Sequence, residues 1–298
     1  MDFLKSLENF TKDKVYENYC LKSNCGYVVG GNAKYYVEPT TVVSLRTIIE
    51  LSTVNQVKYK VIGNGTNLLI SDNGYDGIVI CTRRIKGIKE NNGKVVCSSG
   101  ENLSSLINFC LENGYCGLEQ LCGIPATVCG AVVMNASAYK KCISDYIESV
   151  DLLRNGKLLR LDKHDLCFGY RKSILQQLKL PILTVNFRFP KQRKKIESKE
   201  LIKYYSVLRH DNQPKGKSCG SVFRNTNSYK AGYIIDQAGL KDLRVGKAKV
   251  SSKHANFIVT EDGATASDVY TLIKLIKTKI KEQFNVELIE EIEYVGEF

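Results

Sequence analysis

Two short loops hold the residue types best suited to chemistry: Gly63-Asn64-Gly65-Thr66-Asn67 and Gly123-Ile124-Pro125-Ala126-Thr127-Val128-Cys129-Gly130-Ala131. Neither contains a charged residue, and each adjoins an apolar run. Glycine removes Cβ and permits positive φ, so backbone N–H groups in such segments can close on an oxyanion. Two cradles of this kind fit one ligand with a pyrophosphate and a long organic body. The expectation is a dinucleotide cofactor, and hence an enzyme.

The first loop begins as a Rossmann fingerprint does, but Leu68 stands where the third glycine belongs and a strand follows rather than a helix. That disfavours the classical dinucleotide fold. Gly216-Lys217-Ser218 resembles the end of a P-loop, yet Asp211 occupies the place of the leading glycine, so no Walker motif is present. Three further segments contain reactive types: Tyr170-Arg171-Lys172-Ser173, Gly220-Ser221-Val222-Phe223-Arg224-Asn225 and Glu290-Glu291. Taken singly, they are weak signals that read first as an ion pair, a turn and a solvated terminus. His254 reads as structural.

These residues need a scaffold, and the composition bounds it. The chain has 298 residues, 43% hydrophobic and 25% charged, enough for one large core or two or three modest ones. Its net charge of +12 favours anionic partners such as a nucleotide sugar or a phosphorylated cofactor. Lysines are spread along the chain without a nucleic-acid motif, and the densest run, residues 191–195, reads as a solvated linker. No apolar run approaches a membrane span, and residues 1–10 lack a signal-peptide core, which suggests a cytoplasmic location. The eleven cysteines include no C-x-x-C pair, so neither a zinc site nor a redox dithiol is supported. They read as reduced, small apolar residues, with no metal.

Periodicity predicts strands at Lys34–Val37, Lys58–Ile62, Leu68–Ile70 and Gly77–Cys81, with a helix over Val42–Leu51 behind a threonine cap. A strand at Val95–Cys97 and a helix over Asn102–Asn113 follow. Ile147–Leu153 and Leu158–Leu161 form a hairpin turning at Asn155-Gly156, and Pro181–Phe189 is an alternating strand. Residues 191–199 mark a boundary. Beyond it, Thr265 and Asp268 suit a capping box for a helix striped by Val269, Leu272, Ile273, Ile276 and Ile280. The class is α+β, in three parts: 1–81, 82–190 and 191–298.

In order and spacing these motifs resemble the UDP-N-acetylenolpyruvoylglucosamine reductases, from about Gly30 to Glu297. The resemblance rests on Gly30-Gly31-Asn32-Ala33, Gly63–Ile70, Gly117–Tyr139, Tyr170–Ser173, Gly220–Asn225, Ala231–Leu240, Val250-Ser251, His254–Phe257, Glu291 and Gly296-Glu297. It implies a two-part FAD-binding region of the vanillyl-alcohol-oxidase/PCMH type, 1–81 and 82–190, and a C-terminal substrate-binding domain, 191–298. The short chain resembles the family's compact type II form. FAD and NADPH are the implied cofactors, and a UDP-sugar enolpyruvyl ether the implied substrate, with neither nucleic acid nor membrane as a partner.

By position, Arg171, Ser221 and Glu291 match the family's catalytic residues. Asn225, Gln213 and Tyr170 match substrate contacts. FAD contacts are implied for Gly63, Asn64, Gly65, Thr66, Asn67, Gly123, Ile124, Pro125, Ala126, Thr127, Gly130 and Ala131. Lys215, Lys217 and Arg209 are candidates for phosphates. The chain departs from the family pattern at Ala126, Cys129 and Ser137, where glycine is usual, at Thr66 in place of serine and at Thr226 in place of proline. A site that demands positive φ at Ala126 or Cys129 would weaken FAD. Two other classes remain: another flavin oxidase or dehydrogenase of the same fold, and a non-catalytic anion- or nucleic-acid-binding protein that has lost its flavin.

Overall fold

Helix α1 (Phe3–Thr11) opens the chain, followed by β1 (Val15–Cys20), β2 (Asn32–Val37), α2 (Val42–Val54), β3 (Tyr59–Ile62), β4 (Leu68–Ile70) and β5 (Tyr75–Cys81). Next come β6 (Ile88–Asn91), β7 (Lys94–Ser98), α3 (Leu103–Glu112), α4 (Val128–Val133), β8 (Ser137–Ala138) and β9 (Lys141–Cys142). The middle of the chain closes with β10 (Ile147–Arg154), β11 (Lys157–Asp162), α5 (Leu175–Leu178), β12 (Ile182–Arg188) and α6 (Lys195–Asn212). The last stretch has α7 (Ala231–Gln237), β13 (Arg244–Val245), β14 (Ala248–Val250), β15 (Ile258–Thr260), α8 (Ala266–Phe284) and β16 (Glu293–Val295). This computed structural model describes residues 3–91, 93–191 and 195–298. Gln192, Arg193 and Lys194 of the basic run lie outside the described residues.

The chain divides into two compact units. One takes the residues up to Tyr16, Tyr35–Asn64 and Gly77–Arg209; the other takes Glu17–Lys34, Gly65–Asp76 and His210–Phe298. Among the described residues, no helix is long and apolar enough to cross a membrane.

The first unit is organised by a five-stranded sheet in the order β11-β10-β12-β7-β6. Arg154 pairs with Lys157, leaving Asn155 and Gly156 as a two-residue turn, both at positive φ (51° and 70°). This is the type I′ geometry that the Asn-Gly dipeptide favours. Against this sheet, Leu106, Ile107 and Cys110 of α3 and Val128 and Val132 of α4 fill a core with Val150, Val185 and Phe187. A second core joins Leu7 of α1 and Leu45, Ile48 and Ile49 of α2 to Ile78 and Ile80 of β5. The Thr41 hydroxyl accepts from Ser44 N, so α2 begins at the predicted cap and runs one turn further, to Val54.

From Lys195, the last residue of the basic run, the chain forms α6, so 195–199 of the expected boundary are helix. Its apolar stripe is narrow and hidden among lysines and glutamates, with Ser198 buried and Ile202 and Tyr205 packed on the first unit's core. That spacing of 198, 202 and 205 is one helical face.

The second unit is built on α8. Thr265 and Asp268 form the predicted capping box, and Val269, Leu272, Ile273, Ile276 and Ile280 are all buried. Each such aliphatic side chain is worth roughly 1.5–3 kcal/mol in transfer free energy. The Asp72 carboxylate accepts from Ala266 N and Ser267 N, both at 2.8 Å, which places negative charge at the positive end of the helix. All eleven cysteines are free thiols, seven of them buried, which matches their reading as small apolar residues.

Candidate active site

The second glycine loop is held from two sides within the first unit. Thr127 ends it as the N-cap of α4, its hydroxyl accepting from Gly130 N at 3.2 Å. Residues 128–131, expected as loop, open this helix although three β-branched valines and Gly130 give residues 128–133 weak helix propensity. Capping and burial of Val128, Cys129, Ala131 and Val132 override it. From the other side, α6 braces the loop: Ser198 Oγ donates to Glu119 Oε1 at 2.6 Å, Cys122 Sγ donates to Ile202 O at 3.5 Å, and Arg209 Nε donates to Cys122 O at 3.0 Å.

Gly63 and Asn64 of the first loop pack on this second loop. Asn64 Nδ2 donates to Pro125 O at 3.0 Å, and a Cβ added to Gly63 would meet Thr127 Oγ1 at 2.3 Å. The structure therefore brings these two predicted cofactor segments together. Gly123 has φ +77°, a true glycine position, whereas Ala126 and Cys129 both lie outside the positive-φ region. Their replacement of glycine thus costs no backbone strain.

The fit of an anionic cofactor is tested by Arg209. Its Nη2 is buried and has no hydrogen-bond partner among the described residues, directly beside the loop at Gly123. Burial lowers its pKa, and the nearby Arg171 cation lowers it further. An unmet buried donor on a half-buried cation, next to a second cation and small-residue loops, suits a phosphate-bearing group.

Arg171 sits at the tip of a tight turn. Gly169 and Lys172 exchange backbone hydrogen bonds of 3.0 and 3.2 Å, and Arg171 itself has φ +52°. A positive φ at the third turn position is normally a glycine feature and costs an arginine on the order of 1 kcal/mol. Cross-bracing holds it: Asn135 Nδ2 donates to Gly169 O at 2.8 Å, Ser173 Oγ to Val133 O at 2.6 Å, and Gln176 Nε2 to Arg171 O at 3.1 Å. The guanidinium donates from Nη1 to Ser137 Oγ at 2.6 Å and lies 5.2 Å from the ring centre of exposed Tyr170.

Ser221 and Glu291 lie in the second unit, on two segments laced together. Phe223 bridges Glu290, Glu291 N donates to Val222 O at 2.8 Å, and Ser221 bridges Phe257. Buried Asn256 clamps the strap at its centre: its Oδ1 accepts from Phe223 N at 3.0 Å and its Nδ2 donates to Phe223 O at 2.8 Å. His254 Nδ1 accepts from Asn256 N, and burial lowers its pKa.

The rest of the first loop belongs to this unit. Asn67 Nδ2 donates to Glu291 O at 3.1 Å, and β4 runs parallel to β16 with Leu68 opposite Glu293. Gly65, at φ +67°, lets the backbone approach Asn24 O so closely that a Cβ would meet it at 1.7 Å. Thr66 is half-buried beside it. Asn225 Oδ1 accepts from Ala231 N at the start of α7 (2.9 Å), Gln213 is half-buried, and Lys217 is paired with Asp262. Asn256, Ser137 and the bracing helix α6 were missed as site-supporting residues. Only the His254-Ala255-Asn256-Phe257 and Asn135-Ala136-Ser137 motifs signalled the first two.

Comparison with known proteins decides the family. A model of the FAD binding domain matches residues 33–162, and one of the UDP-N-acetylenolpyruvoylglucosamine reductase C-terminal domain matches 212–295. A UDP-N-acetylenolpyruvoylglucosamine reductase of Prochlorococcus marinus (strain NATL2A) is 36% identical over 287 residues, covering 95% of this chain and 98% of that protein. This chain belongs to the UDP-N-acetylenolpyruvoylglucosamine reductase family. A second member, from Clostridium novyi (strain NT), is 36% identical over 301 aligned positions, covering 100% of this chain and 97% of its own. The crystal structure of the family's Thermus caldophilus reductase matches with a TM-score of 0.78 at 33% identity, covering 96% of this chain and 100% of that one. The predicted fold class holds: α+β, with an FAD-binding region of the expected type ahead of the family's C-terminal domain.

Proposed function

We propose that this chain is an FAD-dependent oxidoreductase that uses NADPH to reduce the enolpyruvyl ether of UDP-N-acetylenolpyruvoylglucosamine to UDP-N-acetylmuramate, in cytoplasmic peptidoglycan precursor synthesis. The observation that carries it is the end-to-end match to reductases of that name, at 36% identity over 95% of the chain. Residues 1–81 and 82–190 hold FAD and residues 191–298 the substrate. The matched FAD-binding and C-terminal models, over 33–162 and 212–295, support an FAD-binding region ahead of a separate C-terminal domain.

Bound FAD supplies hydride chemistry that no side chain offers. Gly63, Asn64, Gly65, Thr66, Asn67 and residues 123–127, 130 and 131 are the residues to hold it, with Arg209 offering its unmet donor to a phosphate. The substrate takes hydride at its methylene carbon, and charge develops on the neighbouring carbon and its carboxylate. Arg171 stabilises that charge, because a guanidinium is permanently cationic and forks onto a carboxylate. Glu291, as a hydrogen-bond donor in its protonated form, polarises the same group, and Ser221 delivers a proton to the carbon beside the carboxylate. Tyr170, Gln213 and Asn225 line up the substrate, Asn225 through its Nδ2, since its Oδ1 serves α7.

The direct test is steady-state turnover. NADPH consumption should depend on the enolpyruvyl substrate, and mass spectrometry should show a product heavier by two hydrogens. NADPH consumption that proceeds equally without that substrate overturns the proposal.

A further inference from the structure

The Arg171 guanidinium ends at Ser137. Arg171 Nη1 donates to Ser137 Oγ at 2.6 Å and Nη2 to Ser137 O at 3.3 Å. Cys142 is the cross-strand neighbour of Ser137 in the β8–β9 hairpin.

The hairpin is anchored. Tyr139 and Lys140 form its two-residue turn, both at positive φ (49° and 65°), a conformation that costs a non-glycine residue on the order of 1 kcal/mol each. Strain of that size persists where surrounding contacts fix the backbone, and here Tyr139 packs on Tyr205 of α6 at 4.6 Å between ring centres. Ser144 N donates to Asn135 Oδ1 at 3.3 Å, while the same side chain's Nδ2 reaches the Arg171 turn. A long side chain rising from a strained turn has many rotamers, and a fixed acceptor at its tip removes most of them.

We propose that Ser137 is a positioning residue for Arg171, holding the guanidinium in place for the anionic carboxylate of the substrate. The role in turnover rests on the function proposed above; the hold on Arg171 does not. Losing one charge-assisted hydrogen bond of this kind is expected to cost about ten-fold in the step that uses Arg171.

The test uses the full-length holoenzyme as wild type, Ser137→Ala and Ser137→Thr, the last retaining the hydroxyl. Phenylglyoxal labelling at Arg171, read by peptide mass spectrometry against Arg154 as internal standard, should be several-fold faster in Ser137→Ala and unchanged in Ser137→Thr. In parallel, reoxidation of the reduced holoenzyme by the enolpyruvyl substrate should slow about ten-fold in Ser137→Ala. Reduction by NADPH should be unchanged, and Ser137→Thr should restore the wild-type rate. Wild-type labelling in Ser137→Ala overturns the proposal. So does faster labelling with unaltered reoxidation, or an equal loss in both half-reactions. If the wild-type protein is itself not reoxidised by this substrate, the functional reading fails, and labelling alone decides whether Ser137 holds Arg171.

Discussion

Replacing Asn256 with alanine removes the clamp on the strap that carries Ser221. The side chain accepts from Phe223 N and donates to Phe223 O, and both residues are buried, at 4% and 1% exposure. Neither abandoned backbone group can turn to water. Leaving a buried donor or acceptor unsatisfied costs about 1–3 kcal/mol, so Asn256→Ala should lose about 2–6 kcal/mol. Against a typical total of about 5–15 kcal/mol, that is a large fraction. Urea unfolding should report the loss, and hydrogen exchange at the Phe223 and Arg224 amides should accelerate with it. Asn256→Asp adds a sign test. The new carboxyl can donate to Phe223 O only when protonated, so folding raises its pKa. Its stability is then greatest at acid pH and is lost as pH rises through the folded value. A loss below about 1 kcal/mol in Asn256→Ala, with exchange unchanged, would refute the clamp.

Three other outcomes follow from the same geometry. Gly63→Ala should displace Thr127 from its cap and weaken FAD by about ten-fold or more, measured by flavin fluorescence quenching, because the added Cβ falls 2.3 Å from Thr127 Oγ1. Ser221→Ala should slow reoxidation by substrate while leaving reduction by NADPH at its wild-type rate in stopped-flow traces; equal loss in both would count against its proton-donating role. Burial opposes ionisation of Asp151, but hydrogen bonds from Arg160, Thr184 and Asn186 outweigh it and hold the pKa below the usual carboxylate value. A depressed pKa contributes stability that is present above the unfolded value and lost on acidification. Asp151→Asn should therefore differ most from wild type at neutral pH, the gap narrowing below about pH 4 in thermal melts.

Local signals proved legible where one physical cause acted alone. The Asn155-Gly156 turn, the Thr41 cap and the Thr265–Asp268 capping box all form as predicted, because each is decided by a few neighbouring residues. Leu68–Ile70 follows its glycine loop as a strand, as its apolar run predicts. Helix α6 was hidden because its buried stripe is thin and its surface charged. Helix α4 was hidden because its propensity is poor and its burial tertiary. The parallel pairing of β4 with β16, which ties Asn67 to the Glu291 segment, joins residues more than two hundred positions apart and leaves no local trace. Arg171 was placed by motif, but nothing in an arginine's neighbours announces a left-handed backbone or the Ser137 hydroxyl that receives it.

The central claim is tested most directly by the visible spectrum of the FAD-loaded protein under anaerobic conditions. Added NADPH should bleach the flavin band, and UDP-N-acetylenolpyruvoylglucosamine should then restore it. A band that bleaches but does not recover would leave the flavoprotein fold intact and contradict the assignment of the enolpyruvyl ether as its acceptor.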